Sequence, residues 1–289
     1  MKRWQQILVN LVFYGCCVFV ALVFFHVFVV VSFKIPSSSM YPTLRPGDFV
    51  LVDKLTGGVR LFDVKKALNR EDVEIYRTPS WRDFHRNDVL VFNAPYPGLQ
   101  TDSIRFDVML YMVKRCVALP GDTFFIKNGH DYVAGKPEPI GYQAGQDEIE
   151  RYDGRMLQDM RMNDLFPDEG ALGWTLKDFG PLPIPKRGQT VRMDSTSWML
   201  YRQLVEWEQK RKLSIDSVGV VRLGGEVIEA YTFTHGYYFM AGDNAISSRD
   251  SRFWGLVPDD YIVGRVWRIW YSEDRQGSVR WKRIMKKVE

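Results

Sequence analysis

The chain has 289 residues and a formal net charge of +4, with 26 % of its residues charged. This length is enough for a sizeable core, and so balanced a charge does not indicate a nucleic-acid partner. Aromatic residues reach 14 %, including nine tryptophans, which favours β-rich structure or contact with a membrane interface. The spacing of the three cysteines does not fit a disulfide framework.

The first predicted element is an apolar segment that has no charged residue from Ile7 to Phe33. About 20 apolar residues suffice to cross a bilayer. The core is too long for a typical cleaved signal peptide, and a proline follows it where a cleavage site would be expected. We therefore predict an uncleaved transmembrane anchor over 7–33, with a cleaved signal as the alternative.

Basic residues flank this segment asymmetrically. Lys2 and Arg3 precede it, and Lys34 follows it. The positive-inside rule then predicts a cytoplasmic tail over 1–6 and an exported domain over 34–289.

The segment is followed by IPSSSMYPTL, residues 35–44, in which three serines lie between two prolines. If residues 35–39 are extended, Ser37 and Ser39 point to one face and Ser38 to the other. One hydroxyl of the pair would then attack a substrate while its neighbour stabilises an oxyanion. A polar linker is the alternative, and alternation does not decide which serine attacks.

Runs with the alternation typical of β-strands occur at 48–55, 88–95, 108–119, 123–136, 225–244 and 260–272. In the fourth run, Asn128-Gly129 predicts a hairpin turn. Residues of about 143–216 are polar, and we interpret them as an insertion that contains one helix, whose apolar positions are Met199, Leu200, Leu204 and Trp207. The expected fold is mainly β: an antiparallel-sheet exported domain with this inserted subdomain, on one N-terminal transmembrane helix.

Lys114 interrupts an apolar strand, YMVKRCVAL. Alternation places it with Met112 and Cys116 on one face, and Val113 and Arg115 on the other. Desolvation on the first face disfavours the ammonium form, so the neutral amine would serve as a general base for a serine. On periodicity alone, a snorkelling or ion-paired strand lysine is the alternative.

A third segment, MAGDNAISSRDSRFWGLVP (240–258), is dense in Gly, Asp, Ser and Arg. This composition predicts a loop held by backbone-capping side chains and an arginine–carboxylate pair. The four histidines are not at metal-ligand spacing with cysteine or carboxylate neighbours, so no metal and no cofactor are expected.

In this order, these segments resemble the sequence boxes of bacterial type I signal peptidases, the Ser–Lys proteases of the leader peptidase family. The matching segments are PSSSMYPTLRPGDFVLV, RNDVLVF, VKRCVALPGD and GDNAISSRDSRFWG. They cover roughly 80 residues, and four such boxes behind an N-terminal anchor are highly specific.

The resemblance implies a role for each matching position. Ser39 would be the nucleophile and Lys114 the general base, with the Ser37 hydroxyl and the Ser39 backbone N–H as the oxyanion hole. Ser248 would hydrogen-bond and orient the lysine. Asp250 with Arg252, and Arg115 with Asp243, would support the site. Pockets for small side chains would be lined by Ile35, Pro36, Met40, Leu44, Val50, Met112 and Val113.

The resemblance also implies a function, a membrane-bound endopeptidase that removes signal peptides from exported preproteins after small residues. The preproteins and the lipid bilayer would be its partners, and no nucleic acid is expected. It would sit in the inner membrane of a bacterium, with its catalytic domain on the outer face. A soluble repressor-type Ser–Lys protease fits the anchor poorly, and a membrane-tethered binding protein or inactive homologue is the other alternative.

The sequence departs from the family pattern at three places, which comprise four residues. Asn87 stands where the family usually has glycine, and Ala245 and Ile246 stand where it has arginine and a polar residue. Met112 replaces a position that is often aromatic. None of these changes touches Ser39 or Lys114, so the catalytic pair is expected to be retained.

Overall fold

The N-terminal helix α1 spans Arg3–Phe28. A computed structural model describes residues 3–96, 103–153, 165–167 and 172–289, with only the backbone of 26 and 27. The stretch Arg3–Phe25 has 23 residues and contains an 18-residue window with a mean hydropathy of 2.6, so it is long and apolar enough to cross a membrane. The anchor is predicted to extend to residue 33, but the helix ends at Phe28 and Val30–Lys34 form strand β1. Their β-branched and aromatic side chains favour that strand, which pairs with the next one.

The main sheet is antiparallel and contains eight strands. Its spatial order is β1, β2 (Asp48–Asp53), β17 (Ile262–Ser272), β5 (Val89–Asn93), β6 (Tyr111–Ala118), β15 (Tyr237–Ala241) and β16 (Val257–Pro258), with β18 (Lys286–Lys287) added to β17. Each strand lies in or overlaps a run whose alternation predicts one, except β1, β16 and β18. The mainly β class is thereby confirmed.

Smaller elements surround this sheet. They are β3 (Arg60–Leu61), α2 (Val64–Leu68), β4 (Tyr76–Arg77), β7 (Thr123–Lys127), β8 (His130–Val133), α3 (Gln143–Arg151), β9 (Phe179–Pro183), β10 (Thr190–Arg192), α4 (Ser195–Gln209), β11 (Leu213–Ile215), β12 (Val221–Leu223), β13 (Glu226–Val227), β14 (Ala230–Thr232) and α5 (Ser251–Trp254). The predicted hairpin is β7–β8, and its turn residues Asn128 and Gly129 both have positive φ.

The polar region 143–216 contains the predicted helix, α4. Leu200 and Leu204 are buried on it, as its apolar spacing predicts, and the Asp194 side chain caps its first turn. Strand β9 of the same region pairs with β7, so the region shares a sheet with residues outside it. Its description as a separate inserted subdomain stays a prediction.

Strand pairing brings the predicted site segments together. The serines lie in the connection between β1 and β2, and β6 pairs on one side with β5 and on the other with β15. The loop predicted at 240–258 begins at the end of β15, beside the part of β6 that carries Lys114 and Arg115. Ser39 and Lys114, which are 75 positions apart in sequence, are thus brought within hydrogen-bond distance.

Candidate active site

The serine segment forms a tight turn. Tyr41 N donates to Ser38 O at 2.9 Å, and Leu44 N donates to Met40 O at 2.8 Å. The extended conformation predicted for residues 35–39 is therefore wrong over its second half, where the chain bends and then turns. Two prolines and the buried Met40 and Leu44 favour the turn, because it buries both apolar side chains under the serines.

The predicted pairing of the serine hydroxyls is nevertheless found. Ser37 Oγ and Ser39 Oγ lie 3.4 Å apart, and Ser39 is half-buried while Ser38 is exposed. No described residue accepts a hydrogen bond from the backbone N–H of Ser39. A hydroxyl and a free N–H therefore lie next to Ser39 Oγ, as an oxyanion hole requires.

Two residues that the sequence did not predict to be part of the site hold this turn, Asn244 and Arg283. Asn244 Nδ2 donates to Ser38 O at 3.2 Å, and Asn244 N donates to Ser39 O at 3.1 Å. From the other side, Arg283 donates to Thr43 O at 2.8 Å and pairs with the buried Asp48. The only sequence feature that points to Asn244 is its place in the GDN motif of the matching segment. Nothing in the sequence links Arg283 to the turn.

Lys114 meets the serine turn from strand β6. Its Nζ lies 2.6 Å from Ser39 Oγ, within hydrogen-bond distance, and the side chain is only 5 % exposed. Burial lowers the pKa of Lys114 to about 8, opposed by the negative charge of Asp250 and assisted by the positive charge of Arg252. Roughly a tenth of the amine is therefore neutral at pH 7, and about half at pH 8. The neutral amine accepts the hydroxyl proton of Ser39.

A buried ion pair lies behind the lysine. Arg252 donates from Nε and Nη2 to the two carboxylate oxygens of Asp250, both at 2.8 Å, and Asp250 is completely buried. Burial raises the pKa of Asp250, but the charge and hydrogen bonds of Arg252 outweigh it and hold that pKa below its usual value. The predicted pair is thus present, with fork-to-fork geometry.

The second predicted pair, Arg115 with Asp243, is also present. Arg115 follows Lys114 on β6 and donates from Nε and Nη2 to the two oxygens of Asp243, both at 2.7 Å. Both residues are buried. Since β6 and the loop after β15 each contribute one partner, the pair fixes the loop against the strand that carries the lysine.

The hydrogen bond predicted between Ser248 and Lys114 is absent. Ser248 is 1 % exposed, and its Oγ has no partner among the described residues. The hydroxyl packs instead against Gly242, where an added Cβ would lie 2.1 Å from Ser248 Oγ and 2.6 Å from Ser39 O. Gly242 is therefore the residue that allows this close approach, and sequence reasoning did not single it out.

Ser39 and Lys114 open into a surface cleft of about 510 Å³. Its walls include Ile35, Pro36, Met40, Met112 and Val113, as predicted. Leu44 and Val50 were also predicted to line it, but both are completely buried in the core cluster below and do not reach the cleft. The reason is local, because the turn folds Leu44 inward and Val50 lies on the core face of β2.

Comparison with known proteins identifies the family. A family model described as signal peptidase, peptidase S26, matches residues 6–271. The chain belongs to this family of signal peptidases. It is accordingly a serine peptidase, a hydrolase.

Individual relatives share this name. A signal peptidase I of Helicobacter pylori is 26 % identical in an alignment that covers 95 % of this chain and 90 % of the relative. A signal peptidase I of Pseudomonas aeruginosa is 30 % identical over 255 residues, which cover 85 % of this chain and 66 % of the relative. A crystal structure of a signal peptidase I from Enterococcus faecalis matches at 18 % identity and a TM-score of 0.31, and covers 64 % of this chain and 98 % of that one.

The departures of this signal peptidase family member from the usual boxes have structural explanations. Asn87 has a φ of 70°, a left-handed conformation that glycine and asparagine adopt most readily. Its side chain also accepts from Gly141 N at 2.8 Å and donates to Pro139 O at 3.1 Å. Ala245 is buried and its carbonyl accepts from Arg252, while Ile246 packs on the main core. Ala245 and Ile246 therefore support the loop at 240–258 by packing and by a backbone contact.

Among the described residues, two groups of side chains have the composition of metal ligands. They are His130 with Asp147 and Glu150, and His235 with Asp259 and Asp260. Tertiary folding brings them together, which histidine spacing in the sequence did not reveal. The His235 ring already bridges Glu208 at 3.3 Å and Asp260 at 3.1 Å, and neither group lies in the cleft. The expectation that this peptidase needs no metal stays a prediction.

Proposed function

We propose that this chain is a membrane-bound Ser–Lys endopeptidase that removes N-terminal signal peptides from exported preproteins. The observation that carries the proposal is the 2.6 Å contact between Ser39 Oγ and a buried lysine amine, in an open cleft of a signal peptidase family member. The names of its relatives support the same substrate class. Signal peptides are the class of segment that a site beside a membrane anchor would meet in extended form.

Acylation begins with the neutral amine of Lys114. The amine takes the proton of Ser39 as the Ser39 oxygen attacks the scissile carbonyl carbon. The Ser37 hydroxyl and the Ser39 N–H donate to the resulting oxyanion. Lys114 then gives its proton to the departing amine, the C–N bond breaks, and the signal peptide remains as an ester on Ser39.

Deacylation repeats these steps with water. Lys114 takes a proton from a water molecule, whose oxygen attacks the ester carbonyl. Collapse of the second oxyanion breaks the ester, and Lys114 returns the proton to Ser39. Asp250 with Arg252, and Arg115 with Asp243, act as positioning residues, since their buried pairs hold the lysine strand and the loop in register.

Ser248 remains a candidate orienting residue for the lysine. Its buried Oγ has no partner among the described residues, so it is free to donate when the site is occupied. Burial of an unpaired hydroxyl carries a cost, which a partner in the substrate complex would remove.

The α1 helix would anchor the enzyme beside its substrates. We propose that it crosses the inner membrane of a bacterium once, with residues 1–6 in the cytoplasm and the catalytic domain on the outer face. Enzyme and preprotein then share one two-dimensional phase, which raises their effective concentration.

Cleavage should depend on a small residue before the scissile bond. The purified full-length chain should cleave a preprotein with an Ala-x-Ala site, and leucine in place of the second alanine should lower kcat/KM by about 100-fold or more. Ile35, Met112 and Val113 line the cleft with bulky apolar side chains, and such walls are expected to reject a larger side chain at this position by steric clash. The measurement is kcat/KM for the two matched substrates, and equal values would contradict the proposal.

A further inference from the structure

One arginine in the cleft has no role in the chemistry described above. Arg249 lines the cleft together with Ser247, on the loop next to the buried Ser248 and Asp250. It is exposed, and its guanidinium lies over the ring of the buried Phe253, 5.3 Å from the ring centroid. This stacking on a fixed aromatic face holds the charge at the cleft wall.

The charge of Arg249 has no negative partner among the described residues. Of the described residues that line the cleft, three are basic, Lys34, Lys114 and Arg249, and none is aspartate or glutamate. Lys34 is neutralised by Glu273 at 2.9 Å, and Lys114 is neutral in its catalytic form. The neighbouring Asp250 is buried against Arg252. Arg249 therefore leaves the cleft with an unbalanced positive charge.

We propose that Arg249 is a specificity-determining residue that favours a carboxylate, and disfavours a basic side chain, close to the scissile bond. Guanidinium groups pair with carboxylates through two parallel hydrogen bonds, and like charges at the same place repel. This inference rests on the proposed function, and it adds a charge preference within two residues of the bond to the small-residue requirement.

Three series of Ala-x-Ala substrates test the inference with the full-length chain. Glu, Gln or Lys is placed at the x position, or at the first or second position after the scissile bond. In at least one series, kcat/KM for Glu should exceed that for Lys by about threefold or more, as expected for an exposed charge pair. The preference should shrink at high salt, because ions screen exposed charges.

Variants connect the preference to this residue. Arg249→Gln should remove the difference between Glu and Lys, and Arg249→Glu should reverse it. Arg192→Gln is the matched control, because it removes an arginine that is also exposed but lies on strand β10, outside the cleft, and should keep the wild-type ratio.

The outcomes separate this inference from the proposed function. Wild-type chain that cleaves all peptides without a charge preference overturns the inference alone. So does a preference that is the same in wild type and in Arg249→Gln. Failure of the wild-type chain to cleave any of the peptides overturns both proposals.

Discussion

Replacing Lys114 by methionine should lower kcat/KM for preprotein cleavage by about 10³-fold or more. Among the described residues, the side chains within hydrogen-bond distance of Ser39 Oγ are the Lys114 amine and the Ser37 hydroxyl. Only the amine is a base, and a serine hydroxyl without a base is a poor nucleophile. Ser39→Ala should cause a loss of the same size, because the two residues act as one unit.

Two controls make the Lys114 result specific. Ser38→Ala should cleave within about twofold of wild type, because the Ser38 side chain is exposed and only its carbonyl is used by Asn244 and Tyr41. Lys114→Met should also keep its melting temperature, since an apolar chain of similar length replaces a buried amine. Undiminished cleavage by a folded Lys114→Met variant would rule out the Ser–Lys mechanism.

The second large effect is expected at Asp250. Asp250→Ala leaves the guanidinium of Arg252 buried without its carboxylate, a change that typically costs about 3–5 kcal/mol of folding free energy. For a domain of this size, such a loss corresponds to a decrease in Tm of roughly 6–20 °C. Cleavage should fall as well, because Asp250 also accepts from Gly242 N at 2.9 Å and so holds the backbone beside Ser39.

An exposed ion pair provides the comparison. Glu226→Ala removes the partner of Arg211, in a pair whose side chains are 77 % and 44 % exposed, and such pairs contribute about 0–1 kcal/mol. Its Tm should stay close to that of the wild type. The account of the buried pair would be wrong if Asp250→Ala melted within about 2 °C of wild type, since that is the range of a surface substitution.

Much of the fold follows from local patterns. Alternation predicts strand β6, which carries Lys114, and strand β15, which leads into the loop at 240–258. Asn128-Gly129 predicts the β7–β8 turn. These signals are readable because side-chain period and turn chemistry depend only on neighbouring residues. The end of α1 was missed, since apolarity continues into β1 and hydropathy alone does not separate a membrane helix from a buried strand.

The site depended more on contacts between distant segments. Family resemblance supplied Ser39, Lys114 and the Asp250–Arg252 pair, and the geometry around them agrees. The resemblance also implies Leu44 and Val50 as pocket residues, but the turn directs Leu44 and the core face of β2 directs Val50 into the core. Asn244 and Arg249 were missed because their partners and surroundings are defined only by tertiary structure.

The pH dependence of kcat/KM tests the central claim, that neutral Lys114 activates Ser39. Burial lowers the pKa of Lys114 to about 8, and only the deprotonated amine accepts the serine proton. Activity on a substrate without groups that titrate in this range should therefore rise about tenfold per pH unit below pH 8 and level off above it. A profile that is flat from pH 6 to 10, or one that rises only near the free-lysine pKa of about 10.4, would contradict the account.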